Sequence, residues 1–206
     1  MGGEACYNGA VINRQDVVYI DTETTGLDPL RHAIWEVALI TAEEANTWLV
    51  ELTPAQIAAA DSMALRVGRF EERYLRPRQE KVVRHDNFPS YACSEKVARQ
   101  VYELTEGKHL VGANPSFDVG FLRPLLESHG FTPGWHYHLI DVEPLMLGVL
   151  AERGLGIPIP WKSTDLSTRL GIAAPTANER HTALGDVRWC QRIFESIVFR
   201  GINRGL

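Results

Sequence analysis

The chain has 206 residues, 45% hydrophobic, with a formal net charge of −5: enough to bury one core, and too acidic to coat nucleic acid by bulk electrostatic attraction. Cys6, Cys93 and Cys190 are widely spaced, which predicts free thiols and excludes a disulfide scaffold or a zinc site. We find no signal-peptide pattern and no membrane-length apolar run, so we expect a cytoplasmic protein without a membrane partner.

Along the chain, predicted strands come first and then alternate with helices. Residues 1–15 lack apolar periodicity and are predicted to be a loose lead-in to a single domain covering 16–206. Short β-branched and aromatic runs predict five strands, at 17–20, 34–41, 48–52, 109–114 and 137–142. Helices are predicted at 94–107, 115–130, 143–153 and from Ala183 onward. This order predicts an α/β fold with a mixed five-stranded sheet, an antiparallel meander at its start, and helices on both faces.

Between the third and fourth strands, Thr53 is a predicted helix N-cap, with Pro54 at the first helical position. An apolar face with helical spacing follows, formed by Met63, Val67, Phe70 and Tyr74. A basic stripe lies beside it at the same spacing and continues past the helix: Arg66, Arg69, Arg73, Arg76, Lys81 and Arg84. Two interpretations of this stripe stay open: contacts to a phosphate backbone, or a solvated face that pairs with nearby glutamates.

Asp21 and Glu23 follow the first predicted strand at a spacing of two residues. The two-residue period of a strand places both carboxylates on one side, with Thr22 pointing away. Two adjacent acids repel each other, so this arrangement favours a cation between them or a raised pKa. Taken alone, the pair is also typical of a solvated turn.

Three further polar residues have similar positions in the predicted fold. Asp118 follows Asn114 at the start of a predicted helix, directly after an apolar strand. His181 and Asp186 are five residues apart, so on one straight helix their side chains would diverge. They converge only if His181 lies in the loop before the helix and Asp186 in its first turns. The loop-like residues 175–180 and the apolar periodicity that begins at Ala183 favour that arrangement.

Taken together, three segments resemble the motifs of the DEDDh exonuclease superfamily, which includes the proofreading subunit of bacterial DNA polymerase III, ribonuclease T and oligoribonuclease. The segments run from Asp21 to Leu27, from Asn114 to Asp118, and from His181 to Asp186. Each is common by chance, but all three occur in the family's order over nearly the whole chain. The resemblance implies a ribonuclease H-like fold and removal of nucleoside monophosphates from a nucleic-acid 3′ end.

The resemblance also implies roles for the five residues. Asp21, Glu23, Asp118 and Asp186 are expected to bind two Mg²⁺ or Mn²⁺ ions about 3.5–4 Å apart, since hard cations prefer oxygen ligands. Asp21 is expected to bridge both ions. His181, whose ordinary pKa near about 6.5 suits proton transfer, is expected to act as general base from a mobile loop.

Substrate contacts are expected mainly from the loop after the first motif, through Thr24, Thr25, Gly26 and Leu27. Leu27 is expected to act as an apolar wedge against the last base, with plain core packing as the alternative. Asn114 and, in the phosphate-contact interpretation, Arg66, Arg69 and Arg73 complete the predicted substrate-binding set. Glu36 matches a glutamate frequent in the family, but the sequence indicates no chemical role for it.

The favoured hypothesis is a 3′-to-5′ exonuclease that acts on single-stranded or frayed DNA, and the same residues leave two alternatives to it. Short RNA is a competing substrate, because the segments 26–29 and 137–142 resemble parts of oligoribonuclease. A catalytically silent module that only binds nucleic acid or docks a polymerase is disfavoured, since it has no physical reason to retain five converging groups. The sequence contains no polymerase or helicase region, so a polymerase partner is expected only on another chain.

Overall fold

The computed structural model describes residues 12–79, 90–157 and 159–199. A six-stranded mixed sheet crosses it in the order β4-β3-β2-β1-β5-β6. Its strands are β1 (Val17–Thr24), β2 (Ile34–Ile40), β3 (Ala45–Val50), β4 (Ser90–Ala92), β5 (His109–Gly112) and β6 (Ile140–Asp141). The predicted meander is confirmed, because β2 pairs antiparallel with both β1 and β3. The remaining neighbours pair in parallel.

The prediction of five strands was one too few, because β4 was missed. This strand has only three residues, and no apolar run marks it in the sequence. It is a strand because Ser90–Ala92 pairs in parallel with β3, which supplies hydrogen-bond partners from far along the chain. Nothing local to those residues would indicate the pairing.

Helices cover both faces of the sheet, as predicted. They are α1 (Pro54–Ala58), α2 (Ser62–Val67), α3 (Arg76–Gln79), α4 (Ser94–Thr105), α5 (Pro115–Ser128), α6 (Val142–Glu152), α7 (Ser163–Arg169) and α8 (Ala183–Phe194). Helices α4 and α5 pack against one face of the sheet, and α6, α7 and α8 against the other. No helix in the described ranges has the length and apolar character needed to cross a bilayer.

The single helix predicted after Thr53 is wrong, although the capping of its start is confirmed: the Thr53 side chain accepts the amide N–H of Gln56. The segment contains α1, α2, a π-helical turn at Glu71–Leu75 and α3. It breaks at Arg69, whose φ of 52° lies in the left-handed region that sterics disfavour for residues other than glycine. The break turns the predicted apolar face, so Phe70 is buried whereas Met63 and Val67 are exposed.

β1 separates the two apolar cores and leads to the candidate site. Val18 and Ile20 face the core under α4 and α5, while Val17 and Tyr19 face the core under α6 and α8. This alternation continues past Ile20, where the side chains become polar. The strand is longer than the predicted 17–20 and includes both acids of the first motif.

Candidate active site

Asp21 and Glu23 lie on the face of β1 that α8 covers, as the two-residue period predicts. They continue the row of Val17 and Tyr19, which pack among residues of α8. β2 bulges beside them: Glu23 pairs with Glu36 and Thr24 pairs with Ile34, so one residue of β2 is left over. The result is two partly buried carboxylates on one side of the central strand.

Asp186 reaches the same place from the first turn of α8, and His181 lies in the loop just before it, as predicted. Thr182 caps the helix by accepting the amide N–H of Gly185 at 3.0 Å. A side chain at Gly185 would clash with the carbonyl oxygen of Glu179, so the tight turn requires glycine there. The backbone N–H of His181 donates to Oδ2 of Asp186 at 3.0 Å, which ties loop and helix together.

Carboxylate oxygens of Asp21, Glu23 and Asp186 converge, each residue offering one oxygen within 4.8 Å of the others. These residues come from the central strand and from α8, which are far apart in sequence and are brought together by packing on one face. An all-oxygen set of this kind suits a hard divalent cation such as Mg²⁺ or Mn²⁺.

Asp118 approaches the three from the other face of the sheet, in the first turn of α5, and does not join their group among the described residues. It is 3% exposed and accepts a hydrogen bond from the Thr22 hydroxyl at 2.7 Å. Thr22 thus points away from Asp21, as predicted, but toward Asp118. The negative charge of Asp118 nevertheless acts on Asp21, whose pKa it raises.

The four carboxyl groups all have pKa values above the ordinary range, mainly because they are buried. Burial, followed by the charges of Asp118 and Asp186, raises the pKa of Asp21 well above its usual value. Burial and then the charge of Glu36 raise the pKa of Glu23 to about 8. Burial raises the pKa of Asp118 to about 7 and that of Asp186 to about 6. A divalent cation would relieve this accumulation of buried negative charge, so the residues present fit a metal site.

His181 is exposed, and the positive charges of Arg180, Arg69 and Arg73 act on its imidazole. Partial desolvation, followed by the charges of Arg180, Arg69 and Arg73, lowers its pKa below the ordinary value. A histidine in this environment is neutral at physiological pH and able to accept a proton.

Comparison with known proteins agrees with this arrangement. Residues 18–194 match the family model described as Exonuclease (RNase T). The chain belongs to the exonuclease family. It is thereby a DEDD-type, metal-dependent nuclease, which confirms the resemblance drawn from its three motifs. Curated protein sequences give no match.

Solved structures show the same fold at low sequence identity. The zinc-bound complex of E. coli exonuclease I with single-stranded DNA has a TM-score of 0.63 at 17% identity, with 92% of this chain and 41% of that chain covered. Exonuclease I from Methylocaldum szegediense has a TM-score of 0.59 at 20% identity, with 92% and 43% covered. The exonuclease chain therefore spans about two-fifths of these neighbours' length.

In this exonuclease, the loop after the first motif is held by its own threonines. The Thr24 hydroxyl donates to the carbonyl of Gly26 at 2.7 Å, and the Thr25 hydroxyl accepts the N–H of Ala33 at 2.9 Å. An added Cβ at Gly26 would overlap the ring of His32. These hydroxyls shape the turn, and contact of Thr24, Thr25 or Gly26 with substrate stays a prediction.

Leu27 is 79% exposed, so the alternative of core packing is wrong for it. Asn114 has a left-handed φ of 56° at the N-cap of α5, and its side-chain oxygen accepts the Ser116 hydroxyl at 2.7 Å. Its structural role is therefore in the turn that presents Asp118. Contact of Leu27 or Asn114 with substrate stays a prediction.

The basic stripe does not form one helix face, because the helix breaks in its middle. Arg66 is exposed, and its predicted contact with phosphate stays a prediction. Arg69 donates to the carbonyl of Asn178 at 3.3 Å, and Arg73 donates to that of His181 at 2.7 Å and pairs with Glu36. Lys81 and Arg84 lie outside the described residues.

Sequence reasoning missed two cations at the site, Lys162 and Arg180. Both line a cleft of about 380 Å³ together with Asp21, His181 and Asp186. The positive charge of Arg180 acts to lower the pKa of Asp186, against the larger effect of burial. Lys162 directly precedes α7, a helix that was not predicted because Leu166 is its only strongly apolar side chain. No local pattern marks either cation.

Proposed function

We propose that this chain removes nucleotides one at a time from the 3′ end of single-stranded or frayed DNA. The observation that carries the proposal is the convergence of Asp21, Glu23 and Asp186, carboxylates from two distant segments, in one partly buried group. Asp118 adds a fourth negative charge from the opposite face. Burying four acids together is unfavourable unless cations compensate them, and phosphodiester hydrolysis uses such cations.

Asp21, Glu23 and Asp186 are the groups that would hold the metal ions, with Asp118 supporting them from α5. When bound, two divalent ions supply Lewis-acid polarisation of the phosphate and of the attacking water. An imidazole nitrogen of His181 would accept a proton from the attacking water, because its lowered pKa favours the neutral form. His181 is exposed and lines the cleft, which leaves it accessible to substrate.

The cleft supports binding of a nucleotide at a chain end. Its volume of about 380 Å³ suits a small organic group, and the positive charges of Lys162 and Arg180 in its lining support contacts to phosphates. The exposed Leu27 side chain supplies an apolar surface for the last base. DNA is favoured because structures with the same fold hold single-stranded DNA oligonucleotides, as in the E. coli exonuclease I complexes.

The test is a digestion series on 5′-labelled oligonucleotides, DNA and RNA, single- and double-stranded, with Mg²⁺, Mn²⁺ or EDTA. We expect a ladder that shortens from the unlabelled 3′ end, fastest on single-stranded DNA, and no products with EDTA. The Asp186→Asn variant, which keeps the size of the side chain, is the matched inactive control.

Three outcomes would overturn parts of the proposal. A faster ladder on short RNA would establish the oligoribonuclease-like alternative. Equal binding with and without metal, together with no cleavage, would establish a silent binding module. Products released from the 5′ end would contradict the polarity. The polymerase partner on another chain stays a prediction.

A further inference from the structure

The guanidinium group of Arg73 makes several contacts near the site at the same time. One terminal nitrogen donates to the backbone carbonyl of His181 at 2.7 Å and to that of Gly68 at 3.0 Å. The other terminal nitrogen pairs with the carboxylate of Glu36. The guanidinium carbon also stands 4.9 Å from the ring centroid of Trp35. Its side chain is only 14% exposed, so little of it is left for a substrate phosphate.

Glu36 holds the same loop at a second point. Its carboxylate accepts a hydrogen bond from the backbone N–H of Ala183 at 3.1 Å. It also accepts a hydrogen bond from the Arg73 guanidinium. Glu36 is 2% exposed on the central part of β2, a rigid position in the sheet. The carbonyl of His181 and the N–H of Ala183 are therefore both tied to one buried ion pair.

His181 requires such support because of its backbone. Its φ of 56° lies in the left-handed region, which is uncommon for residues other than glycine because of steric contacts of the Cβ atom. The loop before it is irregular and exposed, with residues 176–182 outside any helix or strand. A strained residue in such a loop keeps its conformation only when surrounding contacts fix it.

We propose that Arg73, braced by Glu36, is a positioning residue that holds His181 in the orientation needed for proton transfer. This inference rests on the proposed function, in which His181 is the general base. It replaces the interpretation of Arg73 as a contact to the phosphate backbone, and it assigns Glu36 the role that the sequence did not indicate. Neither residue touches the reacting atoms.

The decisive variant is Arg73→Lys. A lysine keeps a positive charge beside the buried Glu36 carboxylate, so the fold is retained, but its single nitrogen cannot reproduce the planar fork that reaches Glu36 and the loop carbonyl together. Glu36→Gln is the second variant, since its amide oxygen still accepts the N–H of Ala183 while the ion pair is lost. Arg99→Lys, on the exposed surface of α4, is the matched control.

The measurements are kcat and KM on single-stranded DNA, Mn²⁺ affinity by calorimetry, melting temperature, and hydrogen exchange at the Ala183 amide. We expect Arg73→Lys to lower kcat by roughly 10- to 100-fold, as misplacement of a catalytic group does, with KM and Mn²⁺ affinity unchanged. Protection of the Ala183 amide should be lost. In a His181→Ala background, Arg73→Lys should change kcat no further, because the two residues act through one step.

The outcomes separate this inference from the proposed function. A folded Arg73→Lys protein with wild-type kcat and a protected Ala183 amide overturns the positioning role. A rise in KM alone identifies a phosphate contact, and an equal loss of kcat with and without His181 identifies a role independent of the base; both also overturn it. If the wild-type chain degrades no nucleic acid, the proposed function fails, while amide exchange still decides whether Arg73 orders the loop.

Discussion

The two halves of β1 lie on one continuous strand with the same alternation of faces, yet one half stabilises the fold and the other concentrates negative charge. Val17–Ile20 buries apolar side chains in both cores and stabilises the sheet. Asp21–Thr24 places two carboxylates on the α8 face and two threonines on the other. The first half satisfies every rule for a central strand, whereas the second concentrates negative charge in a buried place. A site that violates folding rules in this way indicates function, because stability alone would not retain it.

Among the substitutions in β1, we expect the greatest loss of activity at Asp21, in the second half of the strand. Asp21→Asn should lower kcat by about 10³-fold or more, since the amide cannot balance a divalent cation. Thermal stability without metal should stay equal or rise, because one of four mutually repelling acids is removed. Glu103→Gln, an exposed replacement on α4, is the control. Retained activity would show that the carboxylate cluster is not the metal site.

One residue earlier, Ile20→Ala should lower the stability of the fold and leave kcat nearly unchanged. Ile20 is fully buried, so its truncation leaves a cavity and should lower the free energy of unfolding by ~2–5 kcal/mol. Urea unfolding measures this loss, and kcat of the protein that remains folded should be close to wild type. A loss below ~1 kcal/mol, or a large fall in kcat, would break the separation between the two halves.

The pH dependence of stability tests the charge in the second half. The pKa of Glu23 is raised to about 8, that of Asp118 to about 7 and that of Asp186 to about 6, so the metal-free folded state binds more protons than the unfolded state between pH 6 and 8. Stability must therefore fall as pH rises through that window. In EDTA we expect a melting temperature lower at pH 8 than at pH 6 by ~2–4 °C or more, which corresponds to ~1 kcal/mol.

Metal provides the internal control for this experiment. Mn²⁺ should restore more stability at pH 8 than at pH 6, because protons compete with the cation for the same oxygens. A metal-free melting temperature that rises from pH 6 to pH 8 would contradict the raised pKa values.

Replacing the cations that line the cleft beside Asp21 should change substrate binding only modestly. Lys162→Ala and Arg180→Ala should each raise KM several-fold, with kcat changed less. Each lost phosphate contact should also flatten the slope of log affinity against log salt by ~0.7 for a single strand. Arg99→Ala on α4 should change neither quantity. An unaltered salt slope would exclude both cations from substrate binding.

Sequence patterns predicted the positions of the site residues more accurately than the fold around them. Strand alternation placed Asp21 and Glu23 on one side, and the onset of apolar periodicity at Ala183 placed His181 in the loop and Asp186 in the helix. Both inferences are local, depending on spacing that the chain itself encodes. They hold because these residues continue the packing pattern of the elements that carry them.

The errors arose where distant contacts decide the structure. Met63, Val67, Phe70 and Tyr74 have good helical spacing, but the helix breaks at Arg69, directly after Gly68, whose position at the C-cap of α2 is the local signal of the break. Burial of Phe70 and Tyr74 against Trp35 accompanies the break. The same break brings Arg73 to the loop of the third motif. For the same reason β4 could not be predicted from its own three residues, because it forms only by pairing with β3.

We propose that the carboxylates of β1, α5 and α8 together form one metal site. The most direct test is anomalous diffraction from crystals grown with Mn²⁺ and a DNA oligonucleotide. We predict two Mn²⁺ peaks, both contacting Asp21, with Glu23 and Asp186 on one ion and Asp118 supporting the other. The absence of Mn²⁺ at Asp21, in crystals where the oligonucleotide end occupies the cleft, would contradict the claim.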